Sequence, residues 1–416
     1  MEKVRNKAYN LLRWSEQYTQ TDMVYLAKGG FWVTVGQLFG IVASFGIAIA
    51  FANLLPGEIY GNYQFVLATT GILAASSLSG LNVAAVRSVA RGAEGILLPS
   101  FKTKLKWSTI GSLIAIIIAS YYFWRTNEIL AISFLLVALF LPIFYSLGIS
   151  GALLEGKKLF KTSAKYNTSN QIFASACIII ALFLTDNLFL ILMVYFISWT
   201  LAKTITFILT IKKYKTNDVT DHEMVSYGKH LSVMGIFAII ADNLDKLLLF
   251  YFLGPLEVAI YSFATAPVMQ IKGVMKNINS LALPKLSLRT KEEIRATIIS
   301  RNLQIFLVSL PIILAYILAA PFIYKIFFPA YLDSVIYSQV FALAVLFTAP
   351  GTFSSASLEA EMEVKKKYIL TFFSKISKIV LMLVLVVPFG VWGIVSAVVA
   401  NSFVVNIVGI ILIKKK

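Results

Sequence analysis

Charged side chains interrupt two otherwise apolar segments that lie between residues 227 and 289. Each segment is long enough to span a membrane as a helix, and the short turn Gly254-Pro255-Leu256-Glu257 separates them. A charge at the centre of a membrane helix costs about 2.5–3.5 kcal/mol, so several charges in one region indicate a function. On a helix, the charges of each segment fall on one stripe. They are Asp242, Asp245 and Lys246 in the first segment, and Lys272 and Lys276 in the second. We therefore expect these side chains to line a water-filled cavity.

The sequence leaves two interpretations of these charges open. Asp242 and Lys246 stand at positions i and i+4, so they could neutralise each other as an ion pair. Asp245 would then still need a partner, and Lys203 of the preceding apolar segment is a candidate. Alternatively, the charges line the cavity and form a binding site.

The composition identifies the class of protein. The chain has 416 residues, of which 58% are hydrophobic and only 14% are charged, and this is too apolar for a soluble domain of such length. Apolar runs of about 18–24 residues predict about twelve transmembrane helices, and hence an all-α polytopic membrane protein. Their centres lie near residues 41, 73, 115, 139, 177, 199, 242, 269, 312, 346, 379 and 402. No Ala-x-Ala cleavage pattern follows a short apolar core at the start, so we expect the first helix to remain as an anchor.

The distribution of basic residues predicts the orientation. Almost all of the 37 Lys and Arg lie in alternate connections and at the two ends, whereas the opposite connections carry only Arg125 and Lys325. The positive-inside rule therefore predicts that both termini are cytoplasmic. Because the basic residues are spread along the whole chain, the net charge of +17 does not indicate a nucleic-acid partner. A single cysteine excludes an internal disulfide, and the only partners at helical spacing near His222 and His230 are loop acids, so no metal is expected.

Six helices followed by six helices suggest a duplicated architecture. Weak matches at an offset of about 198 residues pair Arg87 with Lys285 and Arg91 with Arg289, in the same order along both halves. Since each half has an even number of spans, we predict two parallel six-helix lobes around a central cavity. The same register places uncharged residues of the first half opposite the charges of the second, so buried charges are expected in the second lobe alone. The predicted division is 1–28, a cytosolic amphipathic segment; 29–211, the first lobe; 212–229, a cytosolic linker; and 230–416, the second lobe.

Three parts of the sequence resemble a known family. They are ANLLPGEIYGNYQF followed by SGLNVAAVRSVAR in the first half, YGKHLSVMGIFAIIADNLDKLLLFYFLGPLEVAIYSFA in the second, and the closing VPFGVWGIVSAVVANSF. Through these parts the chain resembles polysaccharide transporters of the O-antigen flippase (Wzx) type over nearly its whole length. The same superfamily contains lipid II flippases and multidrug antiporters. Ala259 stands where the family usually has Gly, a departure that leaves the substrate's identity open.

The resemblance implies a transport protein and not an enzyme. It implies a flippase that exports an oligosaccharide linked to undecaprenyl pyrophosphate, such as the O-antigen unit of lipopolysaccharide. Export would run from the inner to the outer leaflet of a bacterial or archaeal plasma membrane by alternating access. The implied partners are this lipid-linked oligosaccharide, membrane lipids and polysaccharide polymerase machinery. No cofactor is implied, and the coupling ion, a proton or sodium, stays open.

The implied site combines cations for the diphosphate with amides for the sugars. Cations within the membrane can replace the hydration that an anionic diphosphate loses. The predicted substrate cavity contains Lys203, Asp242, Asp245, Lys246, Lys272 and Lys276. The predicted inner mouth contains Arg87, Arg91, Lys285 and Arg289. These residues would collect the headgroup, unless they only anchor the helices at the membrane surface. The candidate sugar contacts, which polar contacts between helices explain equally well, are Gln37, Asn82, Asn277 and Asn279.

Three other functions fit the residues less well. A multidrug cation antiporter needs an acidic cavity, but the first half has no acid within a helix, and lysines accompany the acids of the second. A lipid II flippase often carries more than twelve helices. A membrane glycosyltransferase or polymerase needs a pair of carboxylates or histidines in an exposed loop, whereas the outer connections are short and carry isolated acids. No Gly-rich loop ending in Lys-Ser/Thr is present, so we expect no nucleotide hydrolysis.

Overall fold

The computed structural model describes residues 23–214, 217–219, 221–280, 291–360 and 363–414. Side chains are described from residue 35 onward, except at 222, 274, 276–280, 291, 360 and 364. Within these ranges the secondary structure is helical throughout, with no strand. The helices are α1 (Met23–Leu54), α2 (Gly57–Leu73), α3 (Gly80–Ala90), α4 (Leu97–Trp124), α5 (Glu128–Ser146), α6 (Ile149–Gly156), α7 (Phe160–Leu184), α8 (Leu188–Lys213), α9 (His222–Leu253), α10 (Pro255–Ser280), α11 (Lys291–Phe327), α12 (Ser334–Ala360) and α13 (Val364–Lys414). Short 3-10 turns occupy Ala74–Ser77 and Pro329–Tyr331.

The lengths of these helices match a polytopic membrane protein. Within the described residues, 8 helices are long and apolar enough to cross a membrane, and α2 with α3 forms a further span that is bent by 49°. The two remaining long helices, α9 and α10, carry the charges discussed above, which lower their apolar character. Because α13 contains two spans, the total is twelve, which confirms the predicted number of helices. Large apolar side chains of α4, such as Ile117 and Phe123, are exposed, as expected for a lipid-facing surface.

The 51 residues of α13 form two helices that fold back on each other. Gly390 has φ 54° and ψ −128°, a backbone conformation that favours glycine. A Cβ atom added at Gly393 would lie 1.9 Å from the carbonyl oxygen of Leu385. Residues eight apart on a straight helix are separated by about 12 Å, so the chain must reverse between them. The reversal lies within the segment 388–393, where the sequence predicts a turn between the last two helices.

The second span is broken, whereas the sequence predicts one helix from about residue 60 to 82. The break follows the small residues of Ala74–Ser77, and Leu78 adopts a left-handed conformation with φ 55°. At the start of α3, the backbone N–H of Gly80 has no partner within its own helix. It donates to the hydroxyl of Ser232 on α9, at 3.0 Å. The break is therefore stabilised by a helix that is distant in sequence.

The described residues form two compact units. The first unit contains Gly36–Phe263 and Phe327–Tyr331, and the second unit contains the remaining described residues. In the first unit, α4 packs along α5, α7 along α8, and α9 along both α2 and α3. In the second unit, α12 packs along α13. The compact units thus divide at Phe263 and not in the linker at 212–229, because α9 packs on α2 and α3. The division into two functional lobes stays a prediction.

Close backbone approach joins α2 to Pro255, the first residue of α10. A Cβ atom on Gly61 would lie 1.8 Å from the carbonyl oxygen of Pro255, so only glycine fits at this position. Helix α9 is held in the same way at its other end, where Gly80 and Gly228 leave no room for a side chain between α3 and α9. Small residues at membrane helix interfaces let backbones approach closely. These contacts place the charged middle of α9 directly against α2.

Candidate functional site

The ammonium group of Lys246 is bonded by a neutral amide. Its Nζ donates a hydrogen bond of 2.6 Å to Oε1 of Gln64 on α2. The Nε2 atom of Gln64 in turn donates to the hydroxyl of Tyr60 at 2.7 Å. Tyr60 and Gln64 are four residues apart, so both side chains lie on the face of α2 that meets α9. This arrangement holds a positive charge in the interior of the first unit without neutralising it.

The neighbouring carboxylate points elsewhere. Asp245 is only 8% exposed, and its Oδ2 accepts a hydrogen bond of 2.7 Å from the hydroxyl of Tyr261. Its Oδ1 accepts from the backbone N–H of Lys246 at 2.9 Å. Consecutive residues on a helix do not face each other. The Asp245 carboxylate is therefore hydrogen-bonded by neutral donors and forms no ion pair with the Lys246 ammonium, on which it acts only electrostatically.

The ion pair that the sequence left open is not the arrangement observed. Among the described residues, no carboxylate oxygen lies within 4 Å of the Lys246 ammonium, which meets Gln64 instead of Asp242. Asp242 on α9 and Lys272 on α10 are exposed, and both have further interactions. The interpretation of Asp242 and Lys246 as a pair that cancels itself is thus unsupported.

A ring of aromatic side chains holds Tyr60 in place. Its ring stacks on Phe263 with centroids 4.3 Å apart and lies 4.9 Å from the ring of Phe51. Phe263 in turn packs against Tyr331, at 4.2 Å between centroids. All four rings are at most 6% exposed. Because Tyr60 is fixed, the amide of Gln64 is oriented with its oxygen toward Lys246.

A second pair of lysines lies inside the first unit, and we call Lys104 and Lys203 the lysine pair. Lys104 on α4 is only 1% exposed, and its Nζ donates to Oδ1 of Asn82 on α3 at 3.1 Å. Lys203 on α8 donates to the backbone carbonyl of Phe144 at 3.3 Å and lies within electrostatic range of Lys104. In the described part of the chain, neither ammonium has a carboxylate within 4 Å. The lysine pair therefore creates a region of uncompensated positive charge.

The sequence predicts Lys104 in the basic connection between the second and third helices, whereas the structure buries it inside the first unit. The expectation that buried charges belong to the second lobe alone is therefore wrong. Helix α4 begins at Leu97, about two turns before Lys104, so the lysine lies within the helix. A signal was present in the sequence, because Lys104 continues a stripe of small residues at helical spacing. The buried members of that stripe are Ser100, Ser108, Gly111, Ala115 and Ala119.

The other predicted residues have different surroundings. Arg87 is exposed on α3, where its guanidinium donates to the hydroxyl of Tyr227 at 2.6 Å, and Arg91 caps the end of the same helix. Asn82 bonds Lys104, and Gln37 is half-buried on α1 with an interaction of its own. Several predictions lie outside the described residues or side chains: Lys276, Asn277, Asn279, Lys285, Arg289 and the cytosolic segment before residue 23. Among the described residues, no group of three or more His, Cys, Asp or Glu could hold a metal ion.

Comparisons with known proteins agree with this architecture. Residues 26–289 match the family model described as "Polysaccharide biosynthesis protein". No curated protein sequence matches the chain. Among solved structures, the lipid II flippase MurJ in an inward closed conformation is similar, with a TM-score of 0.68 and 13% identity over 92% of this chain and 86% of that chain. An inward-facing multidrug resistance MATE family transporter of the MOP superfamily has a TM-score of 0.63 and 16% identity, over 92% and 93% of the two chains.

These findings assign the fold and the family. At identities of 13–16%, the solved structures establish a common fold. The family match covers well over half of the chain. The protein is therefore a multi-pass membrane protein with the fold of the MOP-superfamily transporters, and it belongs to the polysaccharide biosynthesis protein family.

Proposed function

We propose that the protein is a flippase for an oligosaccharide linked to undecaprenyl pyrophosphate. It moves this cargo by alternating access from the inner to the outer leaflet of the plasma membrane, for the biosynthesis of O-antigen or another surface polysaccharide. The family match supports a role in polysaccharide biosynthesis. The observation that carries the proposal is the Lys246 ammonium, which is held inside a membrane helix bundle by an amide oxygen and not by a carboxylate.

A diphosphate must give up much of its hydration to cross the membrane. A charge-assisted hydrogen bond from an ammonium contributes about 1.5–3 kcal/mol and compensates part of that loss. An ammonium already paired with a carboxylate would have to break its pair first. Lys246 has only to exchange a neutral amide oxygen for a phosphate oxygen, which is the more favourable acceptor because it is charged. The lysine pair adds positive charge to the same unit.

The carboxylate beside Lys246 is poorly arranged for a cationic cargo. Both oxygens of Asp245 already accept hydrogen bonds, from the Tyr261 hydroxyl and from the Lys246 backbone. The side chain is 8% exposed, so a cationic drug would have to displace the tyrosine to reach it. This arrangement favours an anionic over a cationic cargo.

The proposal includes an orientation and further contacts. Both termini are cytoplasmic, with lobes at 29–211 and 230–416, and a polymerase machinery receives the exported unit. Arg87 and Arg91 collect the headgroup at the inner mouth, together with Lys285 and Arg289. Lys272 and Lys276 extend the cationic path, and Gln37, Asn277 and Asn279 bond sugars. Asn82 is better assigned to Lys104, because its amide oxygen accepts that lysine's hydrogen bond.

The test is flipping of a fluorescent undecaprenyl-pyrophosphate oligosaccharide in proteoliposomes. We compare the wild-type protein with Lys246→Met, which removes the charge, and Lys246→Arg, which keeps it. Lys325→Met is the matched control, because Lys325 is exposed near the end of α11. We expect flipping to fall by at least tenfold in Lys246→Met and to be unaffected in the control.

The choice of cargo separates the alternatives. Lipid II and a cationic dye are offered in parallel to the wild-type protein. Flipping of the oligosaccharide that survives in Lys246→Met would show that the ammonium does not bind the diphosphate. Transport of the dye alone would exclude the proposed function.

A further inference from the structure

The ammonium of Lys203 lies in a cage of aromatic rings. Its Nζ is 3.6 Å from the ring centroid of Phe144, 5.5 Å from that of Trp199 and 6.0 Å from that of Tyr145. The backbone carbonyl of Phe144 accepts its hydrogen bond at 3.3 Å. We call Phe144, Tyr145 and Trp199 the ammonium cage. A cation within about 6 Å of a ring face is attracted by the ring's quadrupole, most strongly where water is excluded.

The cage is built by packing that does not depend on Lys203. Phe144 is 6% exposed, and its ring lies 6.1 Å from that of Tyr195 and 5.7 Å from that of Phe196. Tyr195 and Trp199 are four residues apart on α8, and Lys203 follows four residues later, so all three side chains lie on one face. The walls are thus provided by α5 and α8, and the lysine fills the space between them.

Aromatic faces together with a carbonyl oxygen are the chemistry that recognises an organic ammonium ion. The described residues place no carboxylate within 4 Å of the Lys203 ammonium, so the rings and the carbonyl are what holds this charge. Such a site would bind a free alkylammonium ion if its own occupant were removed. The chain's own lysine prevents this.

We propose that the ammonium cage is an organic-cation site which the protein keeps filled with its own Lys203. The lysine excludes cationic ligands from the first unit and contributes its own positive charge there. Lys203 is in this sense a specificity-determining residue. The effect on cargo choice rests on the proposed function, in which the cargo is anionic, whereas the binding property of the cage does not.

The other member of the lysine pair, Lys104, opposes a cation in this site. Lys104 lies within electrostatic range of Lys203 and repels any cation in the cage. A ligand ammonium that replaces the Lys203 ammonium meets the same repulsion from Lys104, which lowers its affinity, so the attraction of the rings and the carbonyl has to exceed this repulsion. Replacement of Lys203 by Ala removes three carbons and the nitrogen, which corresponds to n-propylammonium. Trp199 and Tyr145 are half-buried, so the cage is not fully enclosed at these two rings.

The experiment is chemical complementation of Lys203→Ala in the purified full-length protein. Binding of n-propylammonium is followed by thermal unfolding and by the fluorescence of Trp199 in a variant with the other tryptophans replaced by Phe. The neutral n-propanol, which has nearly the same shape, and sodium chloride at equal ionic strength are the reference ligands. Lys104→Ala is the matched variant, because it removes a buried lysine that has no cage.

We expect Lys203→Ala to bind n-propylammonium saturably and at least about tenfold more tightly than n-propanol, as a desolvated cation–π site should. The wild-type protein and Lys104→Ala should not bind it. Equal affinity of Lys203→Ala for the amine and the alcohol would overturn the proposal. If Lys203→Ala does not fold alone, it should fold when n-propylammonium is present during purification. Failure of this rescue, or equal rescue by n-propanol, would also overturn the proposal.

Transport assays separate this proposal from the proposed function. In proteoliposomes, n-propylammonium should restore oligosaccharide flipping to Lys203→Ala. Binding of the amine by Lys203→Ala, combined with a wild-type protein that flips no lipid-linked oligosaccharide, would support the cage and reject the proposed function. If the wild-type protein flips the oligosaccharide but Lys203→Ala does not bind the amine, the proposed function is supported and the cage is rejected.

Discussion

Replacement of Gln64 by Glu tests the role of the Lys246 charge with almost no change in shape. The amide oxygen of Gln64 lies 2.6 Å from the Lys246 ammonium, so a carboxylate at this position forms an ion pair without any movement. The variant neutralises the lysine instead of removing it. If the uncompensated charge binds the diphosphate, the more strongly bonded lysine should bind it less well.

The size of the effect follows from the distance. Two unit charges at this separation attract each other by about 6 kcal/mol at an effective dielectric constant of about 20, before the cost of desolvation is subtracted. A phosphate would have to compete with this pair and would also be repelled by the new carboxylate. Loss of one charge-assisted hydrogen bond, about 1.5–3 kcal/mol, weakens anion binding about 10- to 150-fold. The Gln64→Leu variant should instead bind the anion more tightly, because it leaves the ammonium without its acceptor and free for a phosphate.

The assay is titration calorimetry of the detergent-solubilised protein with farnesyl pyrophosphate, with farnesol as the uncharged reference. Gln171→Glu is the matched control, because the amide of Gln171 on α7 donates to the hydroxyl of Ser44 at 2.7 Å and contacts no lysine. We expect that control to lose stability but not affinity for the anion. Equal weakening in Gln64→Glu and Gln64→Leu would refute the reasoning, since packing and not charge would then explain both.

Three further predictions concern the packing of the first unit. Gly61→Ala should lower the free energy of unfolding by about 3 kcal/mol or more in chemical denaturation, because its Cβ atom would lie 1.8 Å from a backbone carbonyl oxygen. Gly46→Ala is the control and should not lower it, because nothing lies within 4 Å of the added Cβ atom. Lys104→Met should keep or raise the melting temperature, because burial of an ammonium without a carboxylate costs several kcal/mol; a large drop would indicate an essential partner. Asn217→Ala should increase hydrogen exchange at the amide of Glu94 about 5- to 30-fold, because the Asn217 side chain accepts that hydrogen bond at 3.0 Å; unchanged protection would contradict this role.

The helices could be predicted because each follows from its own stretch of chain. In a membrane every backbone polar group must be bonded internally, so an apolar run of about 20 residues has to be a helix wherever its neighbours lie. The twelve predicted segments correspond to helices in the structure, and the last two are joined by a reversal at 388–393, where the turn is predicted. The break at Leu78 was not predictable in this way, because the Gly80 N–H that it leaves open is bonded by Ser232, about 150 residues further along the chain.

The site shows the same difference between local and distant information. The sequence placed Asp242, Asp245 and Lys246 on one helix, and the structure places all three on α9, where Asp245 is buried but Asp242 is exposed. The stripe on α4 contained enough information to include Lys104. Neither pattern could name Gln64 as the acceptor for Lys246, or Phe144 as the ring beneath Lys203. Sequence spacing determines which residues share a face of a helix, since that depends on 3.6 residues per turn alone. The acceptor that an ammonium meets depends on which helices pack together. Here close approach at Gly80 brings α3 against α9, and close approach at Gly61 brings α2 against the start of α10.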